Sequence, residues 1–461
     1  MSRSHRTTRP RRTARTALAL FSAGLLALGA ASCGDDDSGG SGGTDDKATE
    51  GGGSGVQLPK LDGTTLTVGA VWTGTEQDNF KKVLDEFSKR TGATVNFVPT
   101  GDNVAGFVAT QVAGGKAPDI VMVPQVGVLA EFVQKGWAKP MAAETQAQMT
   151  KNYAQAWQDL GAVDGKQYGV YWKAASKSLI WYNSAAFEGA GVEEPKTWDE
   201  FVSTAQTIAD SGVPPVSVGG ANGWTLTDWF ENVYLSQAGP EMYDKLAKHE
   251  IKWTDPSVKS ALDSLAQLWG NDDLLAGGKA GALKTEFPDS MKMPFTDLEN
   301  PKAAMAYEGD FSAASISETK AEIGTDAKVF PFPAVGDESP VVTAGDAAVV
   351  LNDNKGAHAL QTWFASTEAA TLMAQQGGYT SPNKTVKSDA YPNDVQRTIA
   401  EAVIAAGDDF RFDMSDQAPA AFGGTDGAGE WKALQDFLAK PDDVAGAQQV
   451  LETEAAKAFG N

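Results

Sequence analysis

The chain has 461 residues, 42% of them hydrophobic, and a formal charge of −22 at pH 7. That length suits two or three packed domains, and that charge makes nucleic acid and anionic membrane surfaces poor partners. One cysteine excludes an intrachain disulfide framework, and three scattered histidines, His5, His249 and His358, give zinc clusters and histidine-based triads almost no material. No metal and no cofactor is therefore expected.

The chain opens with Arg3, Arg6, Arg9, Arg11, Arg12 and Arg15, then an apolar segment from Ala17 to Ala31. This order of basic, apolar and small residues reads as an export signal over residues 1–32. Its apolar part is shorter than the ~20 residues of a bilayer-spanning helix. Ala30, Ala31 and Ser32 before Cys33 resemble a bacterial lipobox, with Ala30 where leucine is usual. The resemblance implies a lipid on Cys33; the alternative is ordinary cleavage near Ala30 or Ala31 and a free secreted protein. Residues 33–60, rich in Gly, Ser and Asp, predict a flexible tether.

From Leu61 the pattern is that of a folded body. Leu66, Val68, Ala70 and Trp72 alternate as in a strand, and Phe80, Val83, Leu84 and Phe87 have helical spacing. A strand over Thr94–Val98, a helix over Val104–Ala113, a strand over Ile120–Val123 and a helix near Val128–Lys135 follow. This alternation predicts an α/β sandwich with a largely parallel sheet. Tyr168–Trp172 and Leu179–Asn183 read as strands, and Thr197-Trp198-Asp199-Glu200 as a capping box for a helix to Asp210. The stretch 231–290 reads as mainly helical. Strands return at Ala304–Tyr307, Val329–Phe332 and Ala347–Leu351, then helices at Leu360–Gln376, Val395–Ala406 and Trp431–Phe459.

Composition also speaks to the ligand. Beyond the leader only Arg90, Arg397 and Arg411 remain, whereas sites for phosphate or carboxylate favour the guanidinium fork. Twelve tryptophans, several beside Asp, Glu or Asn, suit stacking and hydrogen bonding to a neutral polyol, although most must serve packing.

Several stretches in order resemble the sugar-binding family of extracellular solute-binding proteins of ABC importers, the family that includes maltose-binding protein, and most closely its α-glucoside-type binders. They are VWTGTEQDNF (71–80), APDIVMVPQVG (117–127), AASKSLIWYN (174–183), PKTWDEF (195–201), NGWTLTDWFE (222–231), YEGDF (307–311), GGYTSPN (377–383) and RFDMSDQAP (411–419). The resemblance implies a two-lobed periplasmic-binding-protein-like α/β fold, type II, with a ligand cleft between lobes joined by hinge crossings. Carried onto this chain, one lobe is 61–172 plus 346–380 and the other 173–345 plus 381–461. It also implies a monomeric receptor, not an enzyme, that captures a neutral oligosaccharide, of di- or trisaccharide size with α-glucosyl units, and delivers it to the transmembrane subunits of an ABC permease from the outer face of the cytoplasmic membrane.

The expected ligand-binding set follows from position and resemblance together. Trp72 and Glu76 close the first strand, where α/β ligands gather; Glu76 is equally readable as a helix-start charge. Gln125 ends the Ile120 strand. Lys177 lies past the first crossing, Trp224 and Asp228 at a loop-to-helix junction, Asp310 and Phe311 after the Ala304 strand, and Asp346 at the second crossing. Tyr379 precedes the third crossing, and Asp413 and Asp416 lie in the RFDMSDQAP stretch, with Asp416 favoured for ligand. Two rival functions use the same residues. One is a polyamine or cation receptor of the same fold. The other is a glycoside hydrolase, which requires two carboxyl groups ~5 Å or ~6.5–9.5 Å apart, a spacing a sequence does not give.

Overall fold

The computed structural model describes residues 55–336, 339–406 and 410–460; the expected leader and Cys33 lie outside them. The body begins before Leu61. Val56 is buried, its N–H donates to Glu368 and its carbonyl accepts from Arg90, so the last residues of the expected tether pack as part of the fold.

The first three strands, β1 (Thr65–Ala70), β2 (Thr94–Pro99) and β3 (Ile120–Val123), are parallel in the order β2-β1-β3, with helices Gly74–Thr91 and Val104–Ala113 as crossovers. A small hairpin, β4 (Ala162–Val163) and β5 (Lys166–Gln167), leads into β6 (Gly169–Ser176), and two residues later the chain enters β7 (Leu179–Asn183) of a second sheet. That sheet has the order β10-β7-β9-β8, from Ala327–Pro331, Leu179–Asn183, Met305–Tyr307 and Val216–Ser217. The return strand, β11 (Val342–Val350), pairs antiparallel with both β3 and β6, and β12 (Arg411–Phe412) pairs parallel with its first two residues, opposite β6. The first sheet is therefore mixed, not largely parallel. The expected strand from Ala347 starts five residues earlier because β6 offers it a partner through Thr343–Asp346.

Each sheet has its own core. Val68, Phe80, Phe132, Trp172, Val349 and Trp363 are packed in the first; Phe201, Trp229, Tyr234, Leu265, Phe332 and Leu434 in the second. Alternation along β7 sends Ile180 and Tyr182 into the second core and Trp181 to a smaller cluster with Met291 and Phe295 on the opposite face, so this sheet is covered on both sides. β11 belongs to both halves: Val342 packs in the second core and Ala347–Val350 in the first. The stretch after 381, expected wholly in the second lobe, divides. Tyr391, Ala400, Val403 and Phe412 join the first core, whereas Met414, Leu434 and Leu451 join the second.

Local signals explain most element ends. Thr197 and Glu200 form the expected capping box, and Asn103 caps the helix from Val104. The single helix expected over Leu360–Gln376 is two, Lys355–Phe364 and Thr367–Ala374, because the Ser366 hydroxyl accepts the Ala369 N–H and starts a new helix. The C-terminal helix likewise divides, at 440–443 with Pro441 inside the break.

Candidate ligand-binding site

A cavity of about 610 Å³ lies where the two halves meet, within the ~300–1,000 Å³ range of small-ligand sites. The first half contributes the C-terminal edge of its parallel strands: Trp72 and Glu76 after β1, Asp102 after β2 and Gln125 after β3. β6 and β11 supply the floor. Period-two alternation sets Lys173, Ala175 and Lys177 on one face, and Asp346 pairs with Lys173 at a register shift that interrupts the ladder. Gly345 is an extended strand residue within β11. A Cβ there would collide with the Lys173 carbonyl, so glycine serves close strand packing.

The second half supplies aromatic surface. Trp224, Phe287 and Phe311 form a continuous wall with ring centroids 5.2, 5.4 and 6.2 Å apart. Trp224 starts the helix after Gly223, whose φ of 83° suits glycine. Trp229, five residues on, is 1% exposed and belongs to the core.

Two buried ammonium groups organise the floor. Lys173 bonds Glu76, lies 4.0 Å from Asp346, and stands 4.7 Å from the Phe311 ring centre and 5.7 Å from that of Trp72. Lys177 donates to Asp413 at 2.6 Å and Asp228 at 3.0 Å, lies 3.9 Å from Asp416, and stands 5.3 Å from the Trp224 ring centre. Burial works against both ammonium charges, but the carboxylates outweigh it and both lysines are pushed up. Among the acids, burial prevails: Glu76, Asp346 and Asp416 are all raised above the usual carboxylate range. Asp413 is the exception. Burial is overcome by Lys177 and by donors that include the Asp416 N–H, and it falls to about 2.

Eight of the twelve expected residues line the cavity: Trp72, Glu76, Gln125, Lys177, Trp224, Phe311, Asp346 and Asp416. The other four do not. Asp228 and Asp413 lie behind Lys177, fully buried, where they hold its ammonium; Asp413 also caps the short helix Met414–Gln417. Asp310 accepts the Ser176 N–H at 2.9 Å and the Thr380 hydroxyl, and so ties two crossings of the chain together. Tyr379 turns inward, its hydroxyl donating to the Trp172 carbonyl at 2.7 Å. All four are buried and outside the cavity lining, and each holds other groups of the chain in place.

Sequence reasoning missed Lys173, Asp102, Asn222, Phe287, Glu318 and Trp431, which also line the cavity. Only Lys173 carried a usable signal, its even spacing from Lys177, which follows directly on the strand that holds it. Asp228, Glu231 and Asp413 offer carboxylate oxygens within 4.8 Å of one another. Lys177, the Tyr243 hydroxyl and the Met414 and Ser415 N–H groups already engage them. Lys177 bonds two of the three, and Tyr243, Met414 and Ser415 bond Glu231, so each carboxylate already has donors from the protein itself.

Residues 73–371 match the family described as bacterial extracellular solute-binding protein. The chain belongs to this family. Among curated relatives of this solute-binding protein, the osmoprotective compounds-binding protein GgtB of Synechocystis sp. is 35% identical over 397 residues, 84% of this chain and 91% of that one. The alpha-glucosides-binding periplasmic protein AglE of Rhizobium meliloti is 32% identical over 412 residues, 85% and 88% of the respective chains. Solved structures share the fold: the bacterial solute receptor AcbH, with a TM-score of 0.72 at 21% identity over 86% of this chain and 99% of that one, and RafE in complex with raffinose, 0.70 at 18% over 86% and 100%. Among the described residues no helix is long and apolar enough to cross a membrane.

Proposed function

We propose that this solute-binding protein captures a neutral, hydroxyl-rich glycoside, a short α-glucoside or a glycosidic osmoprotectant, and delivers it to an ABC permease while tethered through a lipid on Cys33. The observation that carries the reading is that Lys173 and Lys177 already face the cavity's own carboxylates, Glu76 and Asp416, and its aromatic rings. The protein's own ammonium groups take the places a cationic ligand would need, which weighs against a polyamine. What remains for a ligand is an aromatic wall for the C–H face of a sugar ring and a mixed set of donors and acceptors for its hydroxyls. The relatives named for alpha-glucosides and osmoprotective compounds support the same class.

Calorimetry and thermal shift of the mature chain against maltose, trehalose, sucrose and spermidine test this. A sugar is expected to raise the melting temperature, since ligand at 100 times Kd adds about 2.7 kcal/mol to stability, and added salt should leave that effect unchanged. A spermidine response that collapses in high salt, with every sugar silent, would reverse the assignment. For the anchor, Cys33→Ser is expected to move the protein from the membrane fraction to the soluble exported fraction; retention on the membrane argues against lipidation.

A further inference from the structure

The mouth of the cavity is bridged from one half to the other at two places. The Asn222 side-chain amide donates to Asp102 at 2.7 Å, and the Glu318 carboxylate accepts the Thr75 N–H at 3.0 Å. All four residues are partly exposed, in contrast to the buried lysines of the floor, which sets these contacts at the rim.

Both bridges are prepared on each side. The Asn222 carbonyl oxygen accepts the Phe287 N–H at 2.7 Å, so its amide is fixed to the aromatic wall while it reaches across. Glu318 lies 3.4 Å from Lys292 of its own half, which orients the carboxylate. On the opposite side, Thr75 is in the first turn of helix Gly74–Thr91, whose N-cap residue Thr73 makes no side-chain cap. Its N–H is one of the donors a helix start leaves unpaired, and the carboxylate of the other half caps it, favoured further by the helix dipole. Gly74, with a φ of 55°, makes room: a Cβ there would fall on the Glu318 carboxylate.

We infer that Asn222 and Glu318 are specificity-determining residues, which close the mouth over the ligand and restrict it to a glycoside short enough to lie wholly within the cavity. The inference rests on the carbohydrate reading above and adds a size limit to it. A longer chain has to leave through the rim, and its emerging rings displace one bridge, so the closed form loses a hydrogen bond between the halves. A ligand that stays inside a cavity of about 610 Å³ keeps both. Size selection then follows from the contacts between the halves, which favour the closed form only for a ligand that leaves both in place.

The test measures affinity for two homologous series, maltose to maltohexaose and sucrose, raffinose and stachyose, in the wild type, Asn222→Ala, Glu318→Ala and the double variant. The two-ring member of a series is expected to bind at least ten times more tightly than the four-ring member, and the double variant should bring that ratio towards one. The ratio is the readout, since both substitutions also remove cavity-lining groups. Gly74→Ala, which blocks the Glu318 bridge from the opposite half, is expected to shift the ratio in the same direction as Glu318→Ala. Wild-type binding of the four-ring sugars as tight as the two-ring ones, or a ratio unchanged in the double variant, overturns the size limit. Silence towards every sugar overturns the carbohydrate reading itself, so the two failures are told apart.

Discussion

Trp224→Ala is expected to weaken ligand binding about 100-fold while the chain stays folded. The indole is only partly buried, at the head of its helix, and it is the largest ring of the aromatic wall it forms with Phe287 and Phe311. A large aromatic side chain at the centre of a binding surface is typically worth 2 kcal/mol or more on truncation, and about 2.8 kcal/mol corresponds to 100-fold. Lys177 also loses the ring 5.3 Å away, which loosens the floor beneath the ligand. The contrast is Trp229→Ala, at a core position 1% exposed, where about 3–5 kcal/mol of folding stability is at stake. Calorimetry with the cognate sugar and thermal denaturation of both variants separate the cases. Full sugar affinity in Trp224→Ala would remove the wall from the site.

Lys177→Met is expected to cost about 3–5 kcal/mol of stability at neutral pH, because it strands buried carboxylates that the ammonium compensates. Asp228 and Asp413 lose direct partners, and Asp416 loses a cation 3.9 Å away. Urea denaturation measures the loss, and pH gives it a signature. Burial raises Asp228, Glu231, Asp416 and Glu430 above the usual carboxylate range and takes Glu308 to about 8. In the interval between its ordinary and its raised value, such a group holds its proton in the folded chain and has lost it in the unfolded one. The folded state then binds more protons, and stability falls as pH rises. For Glu308 that window runs from its ordinary 4.5 to about 8. At about 1.4 kcal/mol per unit, even half that shift amounts to about 2 kcal/mol. Asp413 has the opposite sign: its contribution is present above its ordinary 3.8 and is lost as pH falls towards about 2. The wild type should therefore be more stable at pH 5 than at pH 8, and Lys177→Met should recover part of its loss at pH 5. A wild type more stable at pH 8, or a variant as stable as the wild type at pH 7.5, would contradict this account.

Much of the frame was legible because its signals are local. Alternation located β1, a short apolar run located β3, the Thr197–Glu200 box fixed a helix start, and strand ends pointed to Trp72, Glu76 and Gln125. The site was harder to read, because burial depth is set by long-range packing. Asp228 and Asp416 look alike in sequence, and only the position of Lys177 between the core and the cavity separates a supporting carboxylate from a lining one. Tyr379 after two glycines could point either way, and the free carbonyl of Trp172 decided it. Asn222 and Glu318 gave no signal at all: their partners, Asp102 and Thr75, belong to the other half, 120 and 243 residues away along the chain.

The placement of β11 has a consequence for how this protein is made. β3 ends at Val123, yet the strand beside it does not begin until Val342. An N-terminal fragment has the parallel trio but an open sheet edge, which is a template for aggregation. Pairings this distant in sequence form slowly. Synthesis must pass residue 350 before the first sheet can complete its central pairing, so the first half cannot lock into its final form until most of the polypeptide has been made, which leaves it easier to thread through a narrow export channel.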